Sequence, residues 1–367
     1  MPRERRKLSD DLVREELPKI RRYLTTGSTL LDLAIADRWP GGVGLGRVTQ
    51  FYGDSSTGKS VLAQTVLAAA QQAEGLAVYE DAEATLDMDR AENVFGLDCV
   101  GWEDLGIQDD LREKDFADCV SINPRFVYRI PKSLEQLWDG DVGGIVKLCQ
   151  EKTIPGPVAM AVDTFSAIPS EAELKAGMAD NTYGMSRAKQ MSAAFRKYMY
   201  PMAVTGMTII AVDQVRDKTN ISFGDKDAVS GGRAMEFYAS TRVRMRHAGY
   251  VKGKSDDPIG VVIECLVKKN KCGPPFRKVP VRIIFDFGVD DLGANLEWLE
   301  DKKHPRLTKA GSWTTWQSSM VGQEFKAQGT DALANKIEDG DAEADVRDAV
   351  IAYWKELHEP IRKRRKK

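Results

Sequence analysis

The chain has 367 residues, 42% of them hydrophobic and 8% aromatic, enough for one large α/β core with smaller appendages and ordinary for a soluble globular protein. No apolar run approaches the roughly 20 residues that cross a bilayer, and a net charge of −2 leaves nucleic-acid binding, if any, to local basic patches. Five cysteines without paired spacing and three separated histidines exclude a disulfide framework and a metal cluster built on them.

Residues 1–25 read as a short charged helix and an extended piece. The charged stretch Met1–Lys7 has no apolar run behind it, so a cytoplasmic location is expected, in a bacterial cell or a phage-infected host. Short apolar, β-branched runs then alternate with helical patterns. Strands are predicted at Arg47–Tyr52, Leu76–Glu80, Arg125–Ile130, Val158–Asp163, Thr208–Asp213, Thr241–Arg246, Val261–Lys268 and Val281–Phe285. The Ala-, Leu- and Gln-rich segment Lys59–Glu74, stopped by Gly75, predicts a helix. Strands spaced by helices imply βαβ units and a mostly parallel sheet; the later strands lack long helical spacers and are expected to pair antiparallel at its far end. From about Leu292 the character changes. Trp298, Trp313, Trp316 and Trp354 sit among charged residues, which fits a small C-terminal domain over 292–357, followed by a basic tail over 358–367.

Gly53-Asp54-Ser55-Ser56-Thr57-Gly58-Lys59-Ser60 matches G-x-x-x-x-G-K-[ST] at every fixed position, after a strand and at the start of a helix. Its glycines let backbone N–H groups wrap a phosphate chain, Lys59 would reach the β- and γ-phosphates, and the Ser60 hydroxyl would coordinate Mg²⁺. ATP with Mg²⁺ is the expected ligand pair. A carboxylate on a neighbouring strand must support the metal, and Asp163 at the end of an apolar run supplies it. Hydrolysis needs a group that orients or deprotonates water, and Glu83, beside Glu80 and Asp81 at a strand's end, is the candidate. Gln214 ends another apolar strand; it reads either as a γ-phosphate sensor or as an ordinary strand-ending polar residue. The polar, Gly-containing stretch Asp217–Gly232 is long enough to be a functional loop.

Taken together these residues resemble the RecA family of recombinases, including its phage UvsX-type members, from about Thr26 to about Gly311. Besides the phosphate loop, Thr26-Gly27-Ser28, Asp81-Ala82-Glu83, Asp163-Thr164, Gly231-Gly232-Arg233-Ala234-Met235-Glu236-Phe237-Tyr238-Ala239-Ser240 and Lys269-Asn270-Lys271 carry the likeness. The resemblance implies a core over 26–291 with ATPase activity, Glu83 as catalytic glutamate, Gln214 as the link from γ-phosphate to the second DNA loop, and Asp87 and Phe285 at the adenine. It implies that Lys269 and Lys271 act on a neighbouring protomer's ATP and that Phe237 packs on that neighbour. Residues 1–25 would dock on the next core in a homo-oligomeric filament. The two DNA loops fall at about Glu171–Ser186 and Val215–Gly231, with Arg196, Arg216, Gly231 and Gly232 as DNA contacts. Single- and double-stranded DNA, a single-strand-binding protein and a loader are the implied partners. Homologous pairing and strand exchange are the implied reaction, with a hexameric helicase motor or a non-exchanging mediator as alternatives on the same fold. The stretch Cys99–Asn123 is longer than the family pattern, and the tail is basic where bacterial members have an acidic one.

Overall fold

The computed structural model describes residues 22–99, 116, 119–120, 123–154, 156–175, 183–217, 227–229, 234–253, 256–320 and 322–358. Two short strands, β1 (Tyr23–Leu24) and β2 (Val43–Gly44), pair around helix α1 (Thr29–Ala36), whose N-cap is Ser28. The core sheet then builds from β3 (Val48–Gly53), β4 (Leu76–Asp81), β5 (Phe126–Arg129), β6 (Val158–Asp163) and β7 (Thr208–Asp217). Helices α2 (Lys59–Gln72), α3 (Met88–Phe95), α4 (Gly143–Gln150), α5 (Glu171–Lys175) and α6 (Tyr183–Thr205) lie between them. Strands β3, β4, β5 and β6 are buried throughout, as continuous apolar runs must be when helices cover both faces.

The short strand β8 (Asp227–Val229) and helix α7 (Ala234–Tyr238) lead into β9 (Thr241–Lys252), β10 (Pro258–Asn270), β11 (Lys278–Ile284) and β12 (Gly288–Val289). The sheet order is β12-β11-β10-β9-β3-β7-β6-β4-β5, with β8 on β7. Strands β9, β3, β7, β6, β4 and β5 run parallel, and β9 to β12 pair antiparallel. The predicted parallel core and antiparallel far end are both present. Strand lengths differ from expectation. β9 runs on past Arg246 to Lys252 and β10 starts before Val261, at Pro258, because the two form a long ribbon whose solvated end shows little apolar signal. Strand β7 runs to Asp217 rather than Asp213, since β8 folds back on Val215, Arg216 and Asp217. Helix α2 stops at Gln72, two residues early, with Glu74 at a φ of 59° before Gly75.

Helix α8 (Asp291–Asp301) leads to a three-stranded sheet, β13 (Leu307–Ala310), β14 (Trp313–Gln317) and β15 (Glu324–Gln328), and to helices α9 (Thr330–Glu338) and α10 (Glu343–Leu357). Trp298 and Trp354 pack together, ring centroids 6.0 Å apart, and Trp316 is fully buried. Arginines tie this unit to the core. The buried Arg282 of β11 meets Asp290 at 2.9 Å, Asp331 at 2.6 Å and Glu297. Arg277 meets Asp37 at 2.6 Å and lies over the Trp354 ring. No helix of the described residues is long and apolar enough to cross a membrane.

A second buried charge cluster sits under β4 and β5. Arg129 pairs with Asp141 at 3.1 Å, while the Glu80 carboxylate, also buried, has both oxygens without a hydrogen-bond partner among the described residues. One guanidinium cannot neutralise two buried carboxylates. Burial first, then repulsion by Asp141, drives the Glu80 carboxyl well above its ordinary range. A carboxyl whose folded pKa is raised holds a proton that the unfolded chain has released, so stability is lost as pH rises from the ordinary carboxylate range through the folded value. Glu80→Gln removes this loss. The variant should match the wild type at about pH 5 and exceed it at about pH 8 in urea unfolding. A stability difference that does not change with pH would show that Glu80 is ionised in the folded state.

Candidate nucleotide-binding site

Gly53 closes β3 and Lys59 opens α2, with Gly58 as the helix N-cap at a φ of 71°. Two glycines are dictated by their surroundings. A Cβ on Gly53 would lie 2.0 Å from the Met245 carbonyl oxygen of β9, and Gly58 occupies the left-handed region that L side chains avoid. Gly58 offers no side-chain cap, so the first-turn N–H groups of α2 are left to a ligand in the loop. Lys59, 6% exposed, folds its ammonium into the loop, donating to the Asp54 carbonyl at 2.5 Å and to Thr57 Oγ1 at 3.4 Å. Burial lowers its pKa, against the pull of Asp163, Asp54, Glu83 and Asp213. An ammonium folded into a glycine-bounded loop, beside the first-turn N–H groups of a helix, fits a phosphate chain.

The parallel register brings the other groups to the same edge. Gly53 pairs with Gln214, Asp163 with Val212, and Asp81 with Asp163, so β3, β6 and β4 end here and β7 passes this edge at Gln214. Ser60 Oγ donates to Asp163 Oδ2 at 2.6 Å, and the Tyr79 hydroxyl donates to the same oxygen at 3.1 Å. Burial raises the Asp163 carboxyl; these two hydrogen bonds and Lys59 oppose it. A serine hydroxyl and a carboxylate oxygen form a hard donor set, which fits Mg²⁺. The Asp163–Thr164 peptide is cis, and Thr164 Oγ1 donates to Glu83 Oε1 at 3.3 Å. Glu83 is exposed on the turn after β4, and Asp81 shapes that turn by accepting from the backbone N–H of Thr85 at 2.9 Å and of Leu86 at 2.8 Å. Lys59, Ser60, Glu83, Asp163 and Gln214 are thus gathered around one loop, together with Asp54, Ser55, Ser56 and Thr57, which build it.

Asp87 caps α3, accepting from the Arg90 N–H at 3.0 Å, and Arg90 Nη2 donates to the Phe285 carbonyl at 2.6 Å. Arg90 therefore ties Asp87 and the 40%-exposed Phe285 to one flank, a link that sequence reasoning missed although Arg90 follows Asp87 by one helical turn. It also missed Tyr79 and Asp213, and it named Thr164 without its contact to Glu83. The Asp213 carboxyl is pushed up to about 7, by burial first, against a hydrogen bond from Gln50.

Lys269, Lys271 and Phe237 are not brought to this loop. In the β9 ladder, Met245 marks the Gly53 end, whereas Arg242 and Thr241 pair with Lys269 and Asn270 at the other end. There Lys269 Nζ donates to the carbonyls of Glu236 at 2.5 Å and Phe237 at 2.8 Å, and Phe237 is 70% exposed. Burial, then Lys271 and Arg242, lowers the Lys269 pKa to about 8. Arg196 stands exposed on α6. Of the two expected loops, the first contains α5 and the start of α6, and the second begins later than expected, after β7 and with β8 inside it. Gly231, Gly232, residues 1–21, the 359–367 tail and the Arg216 side chain lie outside the described residues.

A phosphate-binding loop between β3 and α2 of a parallel α/β sheet, backed by a carboxylate on β6, defines a P-loop nucleotide-binding protein. The family model of the RecA N-terminal domain matches residues 12–111 and 147–290. Proteins named Protein RecA from Chlamydia trachomatis serovar L2, Chlamydia muridarum and Chlamydia felis are each 32% identical over 313 residues, 85% of this chain and 78–79% of theirs. The chain belongs to the RecA family, and with it to the ATP-binding proteins of DNA recombination and repair.

The contact at Gly53 is backbone against backbone and cannot be relieved by a rotamer change. Gly53→Ala should cost roughly 2 kcal/mol or more in stability and abolish the rise in melting temperature that added ATP gives the wild type. A variant that melts with the wild type and is still stabilised by ATP would show that β9 can withdraw from the loop.

Proposed function

We propose that the chain is a DNA-dependent ATPase that assembles as a filament on single-stranded DNA and exchanges strands with a homologous duplex. One observation carries the reading. The ladder that pairs Gly53 with Gln214 joins the phosphate loop to the strand that runs on into the segment over 218–233. In this reading the N–H groups at the start of α2 and the Lys59 ammonium hold the phosphates, and Ser60 with Asp163 holds the metal. Bound Mg²⁺ supplies charge neutralisation on the β- and γ-phosphate oxygens. Glu83, steadied by Thr164, orients the attacking water and accepts its proton. Gln214 contacts the γ-phosphate and orders the second loop, an order–disorder gate for DNA. Arg196, Arg216, Gly231 and Gly232 hold the backbone of DNA without reading its sequence. Lys269 and Lys271 stand at the end of the sheet away from their own phosphate loop, which suits a role on the next protomer's nucleotide, with Phe237 packing beside them. Residues 1–25 dock on that neighbour. A cytoplasmic setting, a single-strand-binding protein and a loader complete the proposal.

Glu83→Ala should lower single-strand-stimulated ATP turnover by about a hundredfold or more, while electron microscopy with a slowly hydrolysed ATP analogue still shows filaments. Closed rings in place of filaments would sink the recombinase reading in favour of a ring motor. Unchanged turnover would remove Glu83 from its role.

A further inference from the structure

Helix α7 is little more than one turn long, yet three parts of the core hold it. Tyr238 stacks on Phe195 of α6, with ring centroids 5.0 Å apart. Lys269 holds the carbonyls of Glu236 and Phe237. The third hold is a row of polar side chains that crosses three strands. The Glu236 carboxylate lies 3.7 Å from Arg242 Nη1 of β9. Arg242 Nε donates to Gln50 Oε1 of β3 at 2.6 Å, and Gln50 Nε2 donates to Asp213 Oδ2 of β7 at 2.7 Å.

Gln50 and Asp213 are buried, at 0% and 1% exposure, and the Arg242 side chain is 11% exposed. Two members, Arg242 and Asp213, have a second tie to the phosphate loop. Arg242 lies over the ring of Tyr52, 4.7 Å from its centre, and Tyr52 precedes Gly53. Asp213 precedes Gln214, the ladder partner of Gly53. Only an amide can occupy the middle place. Its carbonyl accepts from the guanidinium while its NH₂ donates to the carboxyl group; a glutamate there would set a second carboxyl against that of Asp213, and a leucine would remove both hydrogen bonds. Taking these groups out of water is costly, and apolar side chains would join β3, β7 and β9 as firmly. What the row adds is a fixed geometry between the end of β7 and helix α7, which flank residues 218–233 in the chain.

We propose that the row Asp213–Gln50–Arg242–Glu236 transmits occupancy of the nucleotide site to helix α7 and so to the DNA loop, with Gln50 and Arg242 as positioning residues. The inference rests on the function proposed above. A phosphate that draws the end of β7 toward the loop moves Asp213. Gln50 passes the shift to Arg242, and the half-exposed Glu236 contact is the joint that closes or opens. Coupling carried this way requires two arrangements of one physical element, which both sites bias.

The test compares ATP turnover with and without a poly-dT oligonucleotide, and oligonucleotide affinity with and without a slowly hydrolysed ATP analogue. Stimulation in the wild type comes first; its absence would count against the proposed function and not against the relay. Gln50→Leu and Arg242→Lys should keep DNA-free turnover within about twofold and nucleotide-free DNA affinity unchanged, while stimulation by DNA falls about tenfold. Gln50→Glu should lose stimulation likewise. Adding Asp213→Asn restores the row in reversed sense, its amide now donating to the glutamate, and should recover most of the stimulation. A merely structural role would lower melting temperatures, leave the stimulation ratio intact and give no recovery in the double variant. Undiminished stimulation in folded Gln50→Leu or Arg242→Lys, or no recovery in Gln50→Glu with Asp213→Asn, would overturn the inference.

Discussion

Everything at the site depends on the pairing of β3 with β7 on one side and β9 on the other. Its register puts Gly53 opposite both Gln214 and Met245. From that constraint follow the glycine, because the Met245 carbonyl fills the space of a side chain, and the location of the site, because parallel strands discharge their C-termini along one edge. Asp163 and Glu83 reach the same edge through β6 and β4. The Ser60–Asp163 hydrogen bond then joins α2 to β6 across the loop. The phosphate cradle is a property of the sheet as much as of the loop.

Charge burial is the second theme. Lys59, Asp163 and Asp213 are all buried, and each has its ionisation pulled by burial one way and by neighbours the other. Such a site is poised rather than relaxed, and a polyanion with a cation fits its unmet demands. The Glu80–Arg129–Asp141 cluster, on β4, β5 and the helical turn over 136–142, is different in kind: it has more carboxylate than arginine, and a proton is the natural remedy. Arg282 shows the opposite balance, one guanidinium among three carboxylates at the junction with the C-terminal unit, two of them partly open to water.

Much of the core was legible in the sequence because its signals are local. Gly53 to Ser60 has fixed spacing, β4 and β6 are short apolar runs ending in acids, and α2 is a run of good helix formers. The lengths of β7, β9 and β10 were not legible, since their distal halves are solvated ribbons held by partner strands rather than by apolar side chains. Arg90, Tyr79 and Gln50 escaped notice because their partners lie far along the chain: Arg90 meets Phe285, and Gln50 meets Asp213 and Arg242.

By itself the sequence determined the class of ligand and the kind of sheet, because a phosphate loop and alternating strands and helices are written in adjacent residues. Only the tertiary structure decided who stands beside whom. It set Gln214 against Gly53, put Lys269 and Lys271 at the opposite end of the sheet, and ran a buried polar row from Asp213 to Glu236. The physical reason is strand register. It is fixed by the packing of whole faces, where one residue of slip would turn every side chain over, and no stretch of sequence read alone contains it.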